Sequence, residues 1–72
     1  MGERIYFDDV TCLAESDRAI RVEIEGDQAV WIPKSQVDDE SEVKAPGDEG
    51  RLVVTKYIVE QRELDGGLDY DG

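Results

Sequence analysis

Residues 19–37, Ala-Ile-Arg-Val-Glu-Ile-Glu-Gly-Asp-Gln-Ala-Val-Trp-Ile-Pro-Lys-Ser-Gln-Val, decide the fold. Ile20, Val22 and Ile24 alternate with Arg21, Glu23 and Glu25, the period-two pattern of a strand with one buried face. Gly26-Asp27 separates this run from the next. Glycine takes positive φ without a steric penalty, so the pair predicts a tight hairpin turn. The return run, Gln28 to Ile32, sets Val30 and Ile32 on one face and Ala29 and Trp31 on the other. Pro33 lacks a backbone donor and ends the ladder. Lys34-Ser35-Gln36 then reads as one helical turn or a tight corner, and Val37 resumes apolar contact.

Working outward from the hairpin, Ile5 to Leu13 predicts a first strand with Ile5 and Phe7 on one face. Val10, Cys12 and Ala14 carry the apolar pattern on at the opposite parity. An extra residue in the strand produces that phase change, which places a bulge at Asp8-Asp9. Glu15 to Arg18 is a polar turn. Residues 38–50 form an acidic loop broken by Pro46-Gly47, with either a short strand over Ser41–Lys44, Val43 inward, or no regular structure. Arg51 to Thr55 predicts the last strand. Lys56 to Leu64 turns helical, with Thr55 as N-cap and Tyr57, Gln61 and Leu64 on one face beside Ile58. Asp65-Gly66-Gly67 stops the helix. The expectation is a mainly β member of the α+β class. A four- to five-stranded antiparallel sheet, twisted or curled into a partly open small barrel, carries one short C-terminal helix. A single domain spans 1–64 and a flexible acidic tail spans 65–72.

Composition narrows the chemistry. A chain of 72 residues buries only roughly 60% of its unfolded surface, so the core is thin. One cysteine and no histidine leave no disulfide and no Cys/His zinc framework, and Cys12 reads as a small buried apolar residue. No Ser or Cys stands beside a base, so nucleophilic catalysis lacks its parts and a non-enzymatic role is expected. Residues 65–72 resemble a calcium loop only superficially, because its third position is Gly67. No metal site and no cofactor is expected. Nor does any signal-peptide run or membrane-spanning apolar run occur, which points to a soluble protein acting in the cytoplasm.

Nineteen acidic residues against eight basic ones give a net charge of −11. Such a surface repels nucleic acid and anionic membrane and attracts basic protein surfaces. The basic residues are scattered, whereas direct phosphate binding needs a positive patch. Glu23 and Glu25 project from the polar face of one strand, about 7 Å apart. Asp38, Asp39, Glu40, Glu42, Asp48 and Glu49 crowd one loop. Together these carboxylates are the candidate partner-binding residues, with Trp31 as a possible anchor for a protein partner. The competing reading of Trp31 is a cover over a second small core beneath the helix. Lys34-Ser35-Gln36 reads more readily as a structural corner than as a recognition element.

With its Trp31-Ile32-Pro33-Lys34-Ser35-Gln36 corner, the stretch Ala19–Val37 resembles a family of short uncharacterised phage and prophage proteins. The likeness continues into the final strand and helix, Leu52 to Leu64, and covers about half the chain. It implies a phage or mobile-element origin. In size, acidity and lack of catalytic residues the chain is similar to anti-CRISPR proteins, several of which mimic nucleic acid. The acidic insertion from Asp38 to Gly50 and the tail from Asp65 depart from the short family pattern. The resulting expectation is an inhibitor of a bacterial defence system that occupies a basic DNA- or RNA-binding surface of a host complex, a CRISPR effector first among them. The alternative is a phage accessory module that binds through Trp31 and its neighbours.

Overall fold

A computed structural model of the chain describes residues 3–24 and 28–70. The turn residues Gly26 and Asp27, and Glu25 beside them, lie outside the described residues. The elements run β1 (Arg4–Glu15), β2 (Ala19–Ile24), β3 (Gln28–Pro33), a 3₁₀ turn (Lys34–Gln36), β4 (Glu49–Thr55), α1 (Lys56–Arg62) and β5 (Leu68–Asp69). The sheet is antiparallel and open, in the order β3-β2-β1-β4, with β5 also paired to β1. This is the mainly β α+β architecture that the alternation predicts.

The central strand is β1. One of its edges carries β4, from Arg4↔Thr55 to Thr11↔Glu49. The other carries β2 along Thr11–Glu15 and β5 along Ile5–Tyr6. Two irregularities bend this twelve-residue strand. The first lies between Phe7 and Val10, where Asp9 takes φ 59°. Aspartate tolerates this left-handed conformation better than most residues do. The step moves the inward positions from Ile5 and Phe7 to Val10 and Cys12, all four of them buried. A second shift lies between Cys12 and Ala14. It pairs Ala14 with the exposed Arg21, so Ala14 does not share the face of Cys12 as its parity suggests.

The hairpin has the predicted register: Ile20↔Ile32 and Val22↔Val30 face the core, and Arg21↔Trp31 and Glu23↔Ala29 face away. Ile20, Val22, Ile24 and Ile32 join Ile5, Phe7, Val10, Cys12, Leu52 and Val54 in one cluster, capped by Ile58 and Leu64 from the C-terminal segment. At about 25 cal/mol per Å² of apolar surface, this burial is the main stabilising term.

Three C-terminal expectations are corrected. Thr55 does cap α1, its hydroxyl accepting the Ile58 N–H at 3.3 Å. The buried face, however, is Ile58 and Leu64 with Val59 beside them, while Tyr57 is 61% exposed. The helix also ends earlier than Asp65-Gly66-Gly67. Glu63 takes φ 54°, ψ 49° and closes it. Within the segment after it, residues 68–70 are held rather than frayed: Leu68 and Asp69 pair with Tyr6 and Ile5, and the Tyr70 N–H donates to the Arg4 carbonyl at 3.0 Å.

The close approach of this last segment makes Gly67 sensitive. A Cβ there would sit 2.8 Å from Phe7 Cζ and inside van der Waals contact of Ile5 Cγ2. Gly67→Ala is expected to destabilise the protein by about 1–3 kcal/mol through overpacking. Urea denaturation measures the loss. Faster hydrogen exchange at Tyr70 and at the β5 amides, with β2–β3 protection intact, would place it at β5.

Candidate functional site

The Trp-Ile-Pro-Lys-Ser-Gln stretch is accounted for residue by residue as a corner. Ile32 enters the core and Pro33 closes β3 opposite Ala19. Lys34 pairs with Glu15 at 2.6 Å, and its N–H donates to the Arg18 carbonyl at 2.7 Å. Gln36 accepts the Thr55 hydroxyl through Oε1. Val37 bridges to Val54. The corner thus carries the chain from the end of the hairpin to the outer edge of β4, curling the sheet and tying it to the N-cap of α1.

The acidic loop is irregular but laced to its surroundings. No strand forms over Ser41–Lys44. The Asp38 N–H donates to Val53 O and the Glu42 N–H to Arg51 O, both at 2.8 Å, so the loop covers the free edge of β4. Gly47 N–H to Cys12 O (3.0 Å) and Cys12 N–H to Asp48 O (2.9 Å) return it to β1. Val43 is fully buried, inward as its sequence position predicts. Buried Ser41 exchanges hydrogen bonds with the backbone of Val43.

Within the loop the carboxylates separate by duty. Asp48 accepts the N–H groups of Lys44 and Ala45, each at 3.0 Å, which holds its carboxyl below the usual range. Asp38 accepts the Glu40 N–H and pairs with Arg4 at 3.3 Å, and is lowered likewise, first by the backbone donor and then by Arg4. Glu42 accepts the Arg51 N–H at 2.9 Å. Gly50 takes φ 140°, a conformation that favours glycine, and a Cβ there would come inside van der Waals contact of the Glu42 carboxylate, which would have to move. Glu40 accepts the Tyr70 hydroxyl, and that bond pushes the Tyr70 phenol up. The carboxylates of Asp39 and Glu49 accept no donor among the described residues, although the Asp39 carbonyl accepts Lys44 Nζ at 2.6 Å.

The outer face of the sheet, opposite the core, gathers acids from separate parts of the sequence. Ala29, Glu23, Thr11 and Glu49 are successive cross-strand partners on β3, β2, β1 and β4 and form one row. Asp9, Thr11, Glu49 and Gly50 line one shallow concavity, and Asp8, Asp9, Glu42, Gly50 and Arg51 line the adjoining one. Glu23, Glu42 and Glu49 thereby come together with Asp8 and Asp9, whose sequence pattern predicts only a bulge. Their signal was the bulge itself, because a strand bent at two aspartates turns both side chains outward. Asp38, Asp39 and Glu40 lie elsewhere, along the β4 edge, and Glu25 lies outside the described residues. Asp8 is partly neutralised by Arg51 at 3.1 Å.

Trp31 does not cover a second core beneath the helix. It is 44% exposed on the outer face, and from α1 Arg62 Nε donates to the Trp31 carbonyl at 3.3 Å. Cys12 is free and buried, and burial pushes its thiol up. Among the described residues, no group of three or more acidic or cysteine side chains is placed to hold a metal ion, and no helix is long and apolar enough to cross a membrane. No protein-family model, no curated protein and no solved structure matches this chain.

The bonded loop carboxylates set a pH dependence. Asp38 and Asp48 titrate below their ordinary value of 3.8 when folded. The unfolded chain therefore takes up protons first as the pH falls. Their stabilisation is complete above the unfolded value and is lost as the pH falls through the lowered folded values. Acid unfolding followed by circular dichroism should show a declining limb below about pH 5. Asp48→Ala should flatten that limb and lower stability at pH 7, whereas Asp39→Ala should leave both unchanged.

Proposed function

We propose that this chain is a non-enzymatic inhibitor that occupies a basic, nucleic-acid-binding surface of a protein complex with the outer face of its sheet. One observation carries the reading. Carboxylates from β1, β2 and β4 converge on one face, and among the described residues the carboxylates of Glu23, Asp9 and Glu49 have no hydrogen-bond or ion-pair partner. Strand neighbours lie about 4.8 Å apart across a sheet, so Glu23 and Glu49, two strands apart, stand roughly 10 Å from each other. A rigid row of charges at this scale can engage cations arranged to hold a phosphate backbone. The resemblance of Ala19–Val37 to phage and prophage proteins supports a bacterial defence complex, such as a CRISPR effector, as the target. Asp38, Glu42 and Asp48 belong to the scaffold under this reading, because their oxygens hold backbone N–H groups in place.

Competition tests the proposal. Partners captured from a bacterial lysate on the immobilised protein are expected to be displaced by an oligonucleotide, with affinity falling as salt rises. Combined Asp9→Asn, Glu23→Gln and Glu49→Gln should weaken the captured complex about tenfold, close to 1.4 kcal/mol spread over three exposed charges, in a folded protein. Asparagine retains the left-handed conformation needed at position 9. The isolated chain should bind no DNA at physiological salt. A captured complex that an oligonucleotide cannot displace sinks the mimic reading.

A further inference from the structure

The outer face also carries apolar surface for which the fold has no use. Trp31 is 44% and Leu13 45% exposed, and neither belongs to the core cluster. Trp31 faces Arg21 across β2–β3, and Arg21 in turn faces Ala14 on β1, so one row runs Trp31–Arg21–Ala14. The second irregularity of β1 adds Leu13 to this row as the extra residue. Leu13 alternates with the inward Cys12 and so points outward. The acidic row Ala29–Glu23–Thr11–Glu49 is the next one along the strands. Trp31 and Glu23 are therefore diagonal neighbours, about 7–8 Å apart.

Two further observations bear on what covers this surface. Arg51 sits 4.4 Å from the centre of the Tyr6 ring and Arg4 5.1 Å from that of Tyr70, so both outer tyrosines are occupied by the chain's own cations. No such cation lies over Trp31 among the described residues. The bond from Arg62 to the Trp31 carbonyl fixes the backbone that presents the ring, so little ordering remains to be done on binding. Carboxylates beside an open aromatic face suit an occupant with cations next to apolar groups. Nucleic acid is repelled by the acidic row, and a second copy would bring two chains of charge −11 face to face.

We infer that Trp31 and Leu13 form the apolar anchor of the docking face, and that its occupant is a protein surface on which basic residues flank an apolar socket. The inference rests on the acidic-face reading above and adds that charge alone does not make the contact. Two peptides of equal length and charge test it, one alternating Arg with Leu and the other Arg with Ser. Trp31 is the chain's only tryptophan, so its fluorescence reports on this face alone. The Arg-Leu peptide is expected to bind about tenfold more tightly than the Arg-Ser peptide and to shift the emission to the blue. Trp31→Ala, and to a lesser degree Leu13→Ser, should remove that preference with the circular dichroism spectrum unchanged. Binding of Trp31→Ala is followed by calorimetry. Equal affinities for the two peptides, or a preference that survives Trp31→Ala, would overturn the anchor. So would a blue shift produced by raising the protein concentration alone, which would assign the face to a second copy, or one produced by single-stranded DNA. Glu23→Gln with Glu49→Gln separates the two claims. If the Arg-Ser peptide binds that variant as well as the unaltered chain, the acidic-face reading itself fails.

Discussion

Everything in this small sheet depends on the bend of β1 at Asp8-Asp9. A straight strand of twelve residues would project one parity of side chains into the core along its whole length. Here Ile5 and Phe7 enter at one parity and Val10 and Cys12 at the other, and all four are buried. The first half of β1 pairs with β5 and the second half with β2 on the same edge, while β4 follows the opposite edge. Without it, one half of the strand would turn its apolar residues to solvent. The same bend projects two aspartates from the middle of the sheet. Fold and candidate site therefore share one local cause.

A second constraint ties the end of the hairpin to β4. The 3₁₀ turn at Lys34–Gln36 has no buried residue of its own, yet it is held at both ends, by Lys34 to Glu15 and by Gln36 to Thr55. Thr55 is shared, since its hydroxyl donates to Gln36 and accepts from Ile58. One side chain thus links the hairpin corner to the start of the helix that caps the core. Polar contacts of this kind add about 1 kcal/mol each, far less than the apolar cluster, but they fix which curled arrangement that cluster adopts.

The hairpin was legible in the sequence because its two signals agree. Period-two alternation set the faces, and Pro33 set the end. The bulge at Asp8-Asp9 was legible for the same reason, as a change of parity. The second shift, at Leu13, was not, because Ala14 is small enough to suit either face. The C-terminal segment was misread where composition outweighed pairing. Leu68-Asp69-Tyr70 looks like an acidic tail, but the free upper edge of β1 offers it N–H and C=O partners that no local pattern announces. Tyr57 looked inward by helical spacing alone, and the direction of approach from β4 gives that place to Ile58 instead. As for the candidate site, crowding of acids in 38–50 drew attention to the loop, whereas the sheet brings Glu23 and Glu49 together from 26 positions apart in sequence, a neighbourhood that only strand order defines.

The distribution of charge then separates two kinds of carboxylate. Asp38, Glu42 and Asp48 hold backbone donors, and Asp8, Glu15, Glu3 and Asp38 hold cations. Each of these lowers the energy of the folded chain, and each accounts for its own presence. The Glu23, Asp9 and Glu49 carboxylates hold no such partner among the described residues, although Asp9 serves the bend through its backbone conformation. Placed near one another on one face, they repel, and the folded state would gain by their replacement with neutral polar residues. Solubility does not require them to converge, because acids dispersed over the surface serve it equally well. Under the proposed function, this convergence and the half-exposed tryptophan in the adjoining row are the features with which a partner of complementary charge and apolar surface would engage.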